Sequence, residues 1–71
     1  MNNEQIKQKI ESAKYGDDCF DLAKELSNEQ LKEFIKAMTL VNATFGLTMR
    51  DERFLFSFSI ELDERTKKVQ K

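Results

Sequence analysis

The 71-residue chain contains no histidine, no proline and no tryptophan, and it has only two glycines and one cysteine. Without histidine it lacks the commonest general base, the commonest metal ligand and every catalytic triad that depends on imidazole. Gly16 and Gly46 are too few for a glycine-rich phosphate loop, and Cys19 alone cannot form an intramolecular disulfide. We therefore expect a protein that is not an enzyme and that has no cofactor or metal site.

Charged residues make up 35% of the chain and hydrophobic residues 39%, a balance that is typical of a folded domain. The 12 basic and 13 acidic residues leave a net charge of −1, which provides no broad field to attract nucleic acid or an anionic membrane. No apolar run approaches membrane-spanning length, and the N-terminal residues lack the apolar core of a signal peptide. Residues 1–71 are predicted to form one small cytoplasmic domain. We expect no membrane partner, and the charge balance disfavours nucleic acid as a partner.

Apolar spacing predicts three helices in the first half of the chain, at about residues 3–14, 18–26 and 28–39. Ile6, Ile10 and Ala13 share one stripe of the first helix, which Gly16 is placed to end. Cys19 is expected to be buried in the second helix, in a reducing compartment.

The third helix follows a capping box, since Ser27 precedes Gln30 by three positions. Its apolar residues then recur at helical spacing: Leu31, Phe34, Ile35 and Met38.

An acidic cluster, Asp17, Asp18 and Asp21, surrounds the start of the second helix. Carboxylates can bind calcium, but the segment matches no twelve-residue calcium loop. Aspartate is strongly favoured at helix starts, so Asp18 is interpreted as a helix cap and the cluster as structural.

The spacing of apolar residues then changes from 3.6 to 2, which predicts strands at about residues 41–49 and 54–62. With residues 50–53 as the loop, one register places ten apolar side chains on the same face. These are Val41, Ala43, Phe45, Leu47, Met49, Phe54, Phe56, Phe58, Ile60 and Leu62. A competing interpretation makes residues 51–68 a fourth helix, because Phe54, Phe58 and Leu62 also share helical spacing, but it leaves Phe56 and Ile60 off that face.

The hairpin interpretation gives an α+β fold in the order α-α-α-β-β, with the hairpin packed on the helices and a charged tail at 63–71. The outer face of the hairpin is then uncharged and flat around Gly46, and its edges carry no proline or inward-facing charge. We expect a homodimer through the hairpin and predict partner contacts at Thr44, Gly46, Leu55, Ser57 and Ser59 on its outer face and at Arg50 and Arg53 on its tip.

The preferred functional hypothesis is a small protein–protein interaction module that regulates or inhibits a macromolecular partner. Small, proline-free, charge-rich α+β chains are common among accessory proteins of phages and mobile elements, and by this association the hypothesis includes such an origin. The alternative is a winged-helix regulator that binds nucleic acid, since three helices followed by a hairpin is the order of that architecture. The third helix argues against it, because Glu29 and Glu33 beside Lys32 and Lys36 leave no net positive charge to meet phosphates.

Overall fold

The structure is a computed structural model that describes residues 2–13 and 19–69, the last two of these by backbone only. It contains four helices: α1 (Asn3–Ser12), α2 (Cys19–Glu25), α3 (Asn28–Thr44) and α4 (Met49–Val69). No strand occurs within the described ranges. The predicted α+β class and its C-terminal hairpin are therefore wrong, and residues 41–62 belong to the end of α3, a short turn and most of α4.

The first three helices agree with the sequence pattern. Ser27 and Gln30 form the predicted capping box, with Gln30 N donating to Ser27 Oγ at 3.1 Å and Ser27 N donating to Gln30 Oε1 at 3.1 Å. Asn2 and Gln5 form a second capping box at the start of α1. Cys19 is buried, as expected. The predicted helix end at Gly16, the cap at Asp18 and the carboxylate of Asp17 lie outside the described residues.

Helix α3 runs to Thr44, five residues beyond its predicted end, and Gly46 ends it. The Gly46 N–H donates to the Asn42 carbonyl at 3.1 Å, and Gly46 has a φ of 81°, the left-handed conformation that closes many helices. Glycine adopts this conformation without the steric cost that a Cβ imposes. The glycine interpreted as part of a strand is in fact a helix C-terminal cap.

Helix α4 replaces the second strand, as in the competing interpretation. Thr48 precedes it and accepts a hydrogen bond from Asp51 N at 3.2 Å, which is helix capping, and the acids Asp51 and Glu52 occupy its first turn. Toward its C-terminus two ion pairs join residues four apart, Glu61 with Arg65 at 2.8 Å and Asp63 with Lys67 at 3.1 Å. These local interactions favour a helix, whereas a lone two-stranded hairpin is marginal in water.

Several serine and threonine residues of α3 and α4 are accommodated in the helices by side-chain hydrogen bonds. Ser57 Oγ donates to the Arg53 carbonyl at 2.9 Å, and Ser59 Oγ donates to the Leu55 carbonyl at 2.8 Å. Three threonines do the same to the carbonyl four residues earlier: Thr39, Thr44 and Thr66. A hydroxyl that bonds the preceding turn needs no other partner, so such residues tolerate a helix interior.

The core lies where all four helices meet and is formed by ten buried apolar residues: Ile6, Ile10, Cys19, Leu22, Ala23, Leu26, Leu31, Phe34, Phe54 and Phe58. Phe58 packs edge to face against Phe34 and Phe54, with ring centroids 6.3 and 5.9 Å apart. Of the ten side chains assigned to the inner face of the hairpin, only Phe54 and Phe58 are buried. Leu47, Ile60 and Leu62 are half-buried, and the others are exposed.

Two arginines of α4 bind carbonyl groups at the C-terminal ends of the earlier helices. Arg65 donates to the carbonyls of Ala23, Lys24 and Leu26 at the end of α2, at 2.8 to 3.2 Å. Arg50 Nη1 donates to the Glu11 carbonyl in the last turn of α1 at 2.9 Å. The final carbonyls of a helix have no partner within that helix, and cations are favoured there.

The predicted charged tail over residues 63–71 is thus wrong for its described part. Helix α4 continues to Val69, and Arg65 also donates to Asn28 Oδ1 at 2.9 Å. This segment fixes the end of α2 against the start of α3.

Candidate functional site

The C-terminal half of α3 and the turn after it form an uncharged region. Residues 37–49 include no acidic or basic side chain, in a chain of which 35% is charged. Residues 39–46 are all exposed, so the last two turns of α3 extend past the core. Surface helices normally carry charged residues on their outward faces, so an exposed helical segment without any charge is unusual.

Large apolar side chains are exposed in this region. Leu40 is 68% exposed, Val41 44%, Phe45 86% and Met49 62%, and these four residues are called the apolar end below. They account for four of the six exposed large hydrophobic residues in the described part of the chain. The other two are Phe20 on α2 and Phe56 on α4.

The position of the apolar end follows from the length of α3. Met38 is the last residue of the helix that packs against the core, while the helical stripe it belongs to continues through Val41 and Phe45. The described chain covers Val41 in part and leaves Phe45 86% exposed, since Gly46 then turns the backbone toward α4.

A groove between α1 and α3 adjoins the apolar end. It has a volume of about 270 Å³ and shares Val41 with the apolar end. Its apolar lining is Ile10, Phe34, Ala37, Met38, Val41 and Leu47, and its charged lining is Lys7, Glu11, Arg50 and Asp51. A second hollow of about 170 Å³ continues it past Lys7, Phe34 and Ala37 toward Asn3 and Glu33.

The charged side chains of the groove are balanced, with two basic and two acidic residues. Arg50 donates to the Glu11 carbonyl, and its Nε lies 3.6 Å from Asp51 Oδ1. Because Arg50 interacts within the chain, the groove offers a ligand mainly its apolar walls. An uncharged, apolar side chain is the occupant that suits it best.

The residues predicted to contact a partner do not share one surface. Thr44 and Gly46 lie at the exposed end of α3, beside the apolar end. Arg50 and Arg53 lie in the first two turns of α4 instead of at a hairpin tip, and Arg50 is occupied by α1. The remaining three are distributed around α4: Leu55 is half-buried, Ser57 is buried and Ser59 is exposed.

The alternating pattern of apolar residues did not indicate that Leu40, Val41, Phe45 and Met49 lie on the surface. The strand interpretation assigned three of them to the core and did not use Leu40 at all. The run of thirteen uncharged residues was the available signal, and on a helix it places uncharged side chains on every side.

Three other features are relevant for the described residues: a metal site, a membrane-spanning helix and the wing of a winged helix. No group of three or more Cys, Asp or Glu side chains among them is arranged to hold a metal ion. None of the helices, over the residues described, combines the length and the apolar character needed to cross a membrane. The wing of a winged helix would require the hairpin, and residues 50–53 are helical instead.

Comparison with known proteins identified no relative: no family model, no curated protein and no solved structure matches the chain.

Proposed function

We propose that this chain is a small, non-enzymatic protein–protein interaction module that regulates or inhibits a macromolecular partner, and that the apolar end is its binding surface. The observation that carries the proposal is the exposure of Leu40, Val41, Phe45 and Met49 within thirteen consecutive uncharged residues. These four large apolar side chains are exposed within ten residues of the sequence, and exposed apolar patches on soluble proteins usually mark interaction sites.

The composition of the apolar end also favours a protein partner over nucleic acid. Binding to phosphates depends on lysine and arginine, and residues 37–49 contain neither. Interface cores are instead depleted in charge and enriched in aromatic residues and methionine, which fits Phe45 and Met49. The large exposed fraction of Phe45 makes it the strongest candidate for an anchoring side chain.

Two further parts of the proposal rest on composition. The single cysteine cannot form an intramolecular disulfide, which fits a reducing compartment and favours a cytoplasmic location. This location stays a prediction. An origin among accessory proteins of phages or mobile elements likewise stays a prediction.

Site-specific photo-crosslinking tests the binding surface. A benzophenone amino acid is placed at position 45, or at position 29 in the exposed first turn of α3 as a control, in cells that naturally produce the chain. We expect position 45, and not position 29, to yield adducts with another protein that survive nuclease treatment and disappear when Leu40→Glu is added. Identical adducts from both positions, or none from position 45, contradict the proposal.

A further inference from the structure

We infer that a second copy of this chain covers the apolar end, with Phe45 of each copy seated in the α1–α3 groove of the other. The inference rests on the proposed function, and because both use the apolar end, the dimer and a complex with a different partner exclude each other. The chain presents both parts of such a contact, an exposed aromatic side chain and an apolar groove close to it. Phe45 is the most exposed apolar side chain described, and the groove shares Val41 with the apolar end and includes Leu47, two residues after Phe45.

The size of the groove suits an aromatic ring. Its volume is about 270 Å³, whereas a closed apolar cavity of about 150 Å³ is enough to bind benzene. Ile10, Phe34 and Met38 give it apolar walls. A phenylalanine seated there exchanges water for apolar contacts, and an aromatic residue in a pocket is the usual form of an interface hot spot.

The area is enough for a dimer. A fully accessible aromatic side chain presents ~150–250 Å², so the four residues of the apolar end together expose on the order of 500 Å². A two-fold interface uses this surface twice and so buries about 1,000 Å², which is the lower limit for a specific complex.

Charge also favours a second copy. A two-fold axis brings equivalent patches together, so a patch of one sign would repel its own copy. The apolar end carries no charge, and the net charge of −1 adds little repulsion between copies. The charges that line the groove sum to zero, and Arg50 already binds the Glu11 carbonyl, so an uncharged segment such as 37–49 meets no net charge there.

Sedimentation or light scattering of the purified chain tests the dimer across about 1 to 500 µM. We expect the parent to approach twice its mass of 8.4 kDa as concentration rises. Phe45→Lys alters the anchor and Ala37→Glu alters the groove, and both positions are exposed, so both variants should fold as the parent does. Each should weaken dimerisation by roughly 100-fold or more, because the altered contact occurs twice. Phe20→Lys, an exposed aromatic position on α2, is the control and should dimerise like the parent.

Mixing the two interface variants tests the seating itself. In a mixed dimer, one contact joins an intact Phe45 to an intact groove, and in the other the introduced lysine meets the introduced glutamate. Equimolar mixing should therefore restore dimers that neither variant forms alone. If the variants are monomeric separately and also when mixed, Phe45 does not occupy the groove.

A parent that stays monomeric at 500 µM also overturns the inference, as does a Phe20→Lys control weakened as much as Phe45→Lys. These measurements use the purified chain alone, so they are independent of capture of another protein in cells. A monomeric parent that still crosslinks to a different protein through position 45 rejects the dimer and leaves the proposed function standing.

Discussion

Phe56 and Phe58 offer a direct test of the fold, because a strand would place both on one face and a helix separates them. In the structure Phe58 is fully buried and Phe56 is 63% exposed. We predict that Phe58→Ala severely destabilises the protein and that Phe56→Ala does not, although both remove the same atoms.

The magnitudes follow from their surroundings. Phe58 loses its edge-to-face contacts with Phe34 and Phe54 and leaves a cavity, which should lower the free energy of unfolding by about 3–5 kcal/mol. For Phe56, about a third of the side chain is covered, so Phe56→Ala should lose about 1 kcal/mol of apolar burial. Alanine is the better helix former by about 0.5 kcal/mol, so the net change should stay within about 0.5 kcal/mol.

Urea unfolding followed by circular dichroism, with parent and variants at the same concentration of a few micromolar, measures both changes. A domain of this size has a total stability of roughly 4–10 kcal/mol, so Phe58→Ala removes a large part of it. Its melting temperature should fall by about 15 °C or more. Equal destabilisation by the two substitutions would refute the helical assignment, since a strand buries both rings.

Three further predictions concern other parts of the fold, and each is read from urea unfolding. Arg65→Met should lower the free energy of unfolding by about 2–4 kcal/mol, because it leaves carbonyls of α2 without a charged donor. Arg65→Lys should recover less than half of that loss, since an ammonium cannot form the same fork of hydrogen bonds. Near-parent stability of Arg65→Met would show that these bonds are unimportant. Gly46→Ala should lower the free energy of unfolding by about 1–2 kcal/mol because residue 46 has a left-handed φ, and Gly46→Asn should lower it by less. Equal stability of the parent and both variants would mean that residue 46 is not held in that conformation. Ser57→Arg should lower the free energy of unfolding by more than about 3 kcal/mol because Ser57 is buried, whereas Ser59→Arg at an exposed position should change it by no more than about 0.5 kcal/mol. The reverse order would mean that Ser59, and not Ser57, lies on the buried face of α4.

The helices in the first half of the chain could be predicted because several local signals agree there. At α3, the capping box of Ser27 and Gln30 and the stripe through Leu31 and Phe34 indicate the same helix. Residues 41–62 carry two patterns at once. Alternating apolar residues favour a strand, while Phe54, Phe58 and Leu62 fit a helix, and no local rule decides between them.

The features that decide in favour of α4 are mostly long-range. Arg65 meets carbonyls about forty residues earlier in the chain, and the sequence gives no sign of that contact. The strand interpretation also concealed the exposure of the apolar end, because an alternating pattern assigns Val41, Phe45 and Met49 to the inner face of a hairpin. The lack of charge in the apolar end, in contrast, can be read directly from residues 37–49.

The carbonyl contacts of Arg50 and Arg65 also determine when the fold can form. Each joins residues about forty positions apart, so each closes a loop of more than half the chain. Closing such loops costs entropy before any contact offsets it, which places these steps late in folding. During synthesis, the carbonyls at the ends of α1 and α2 lack these arginine donors until α4 has been made, and a chain that stops before Arg65 lacks the hydrogen bonds that α4 gives to the end of α2. The last helix to be made is thus the one that fixes the first two in place.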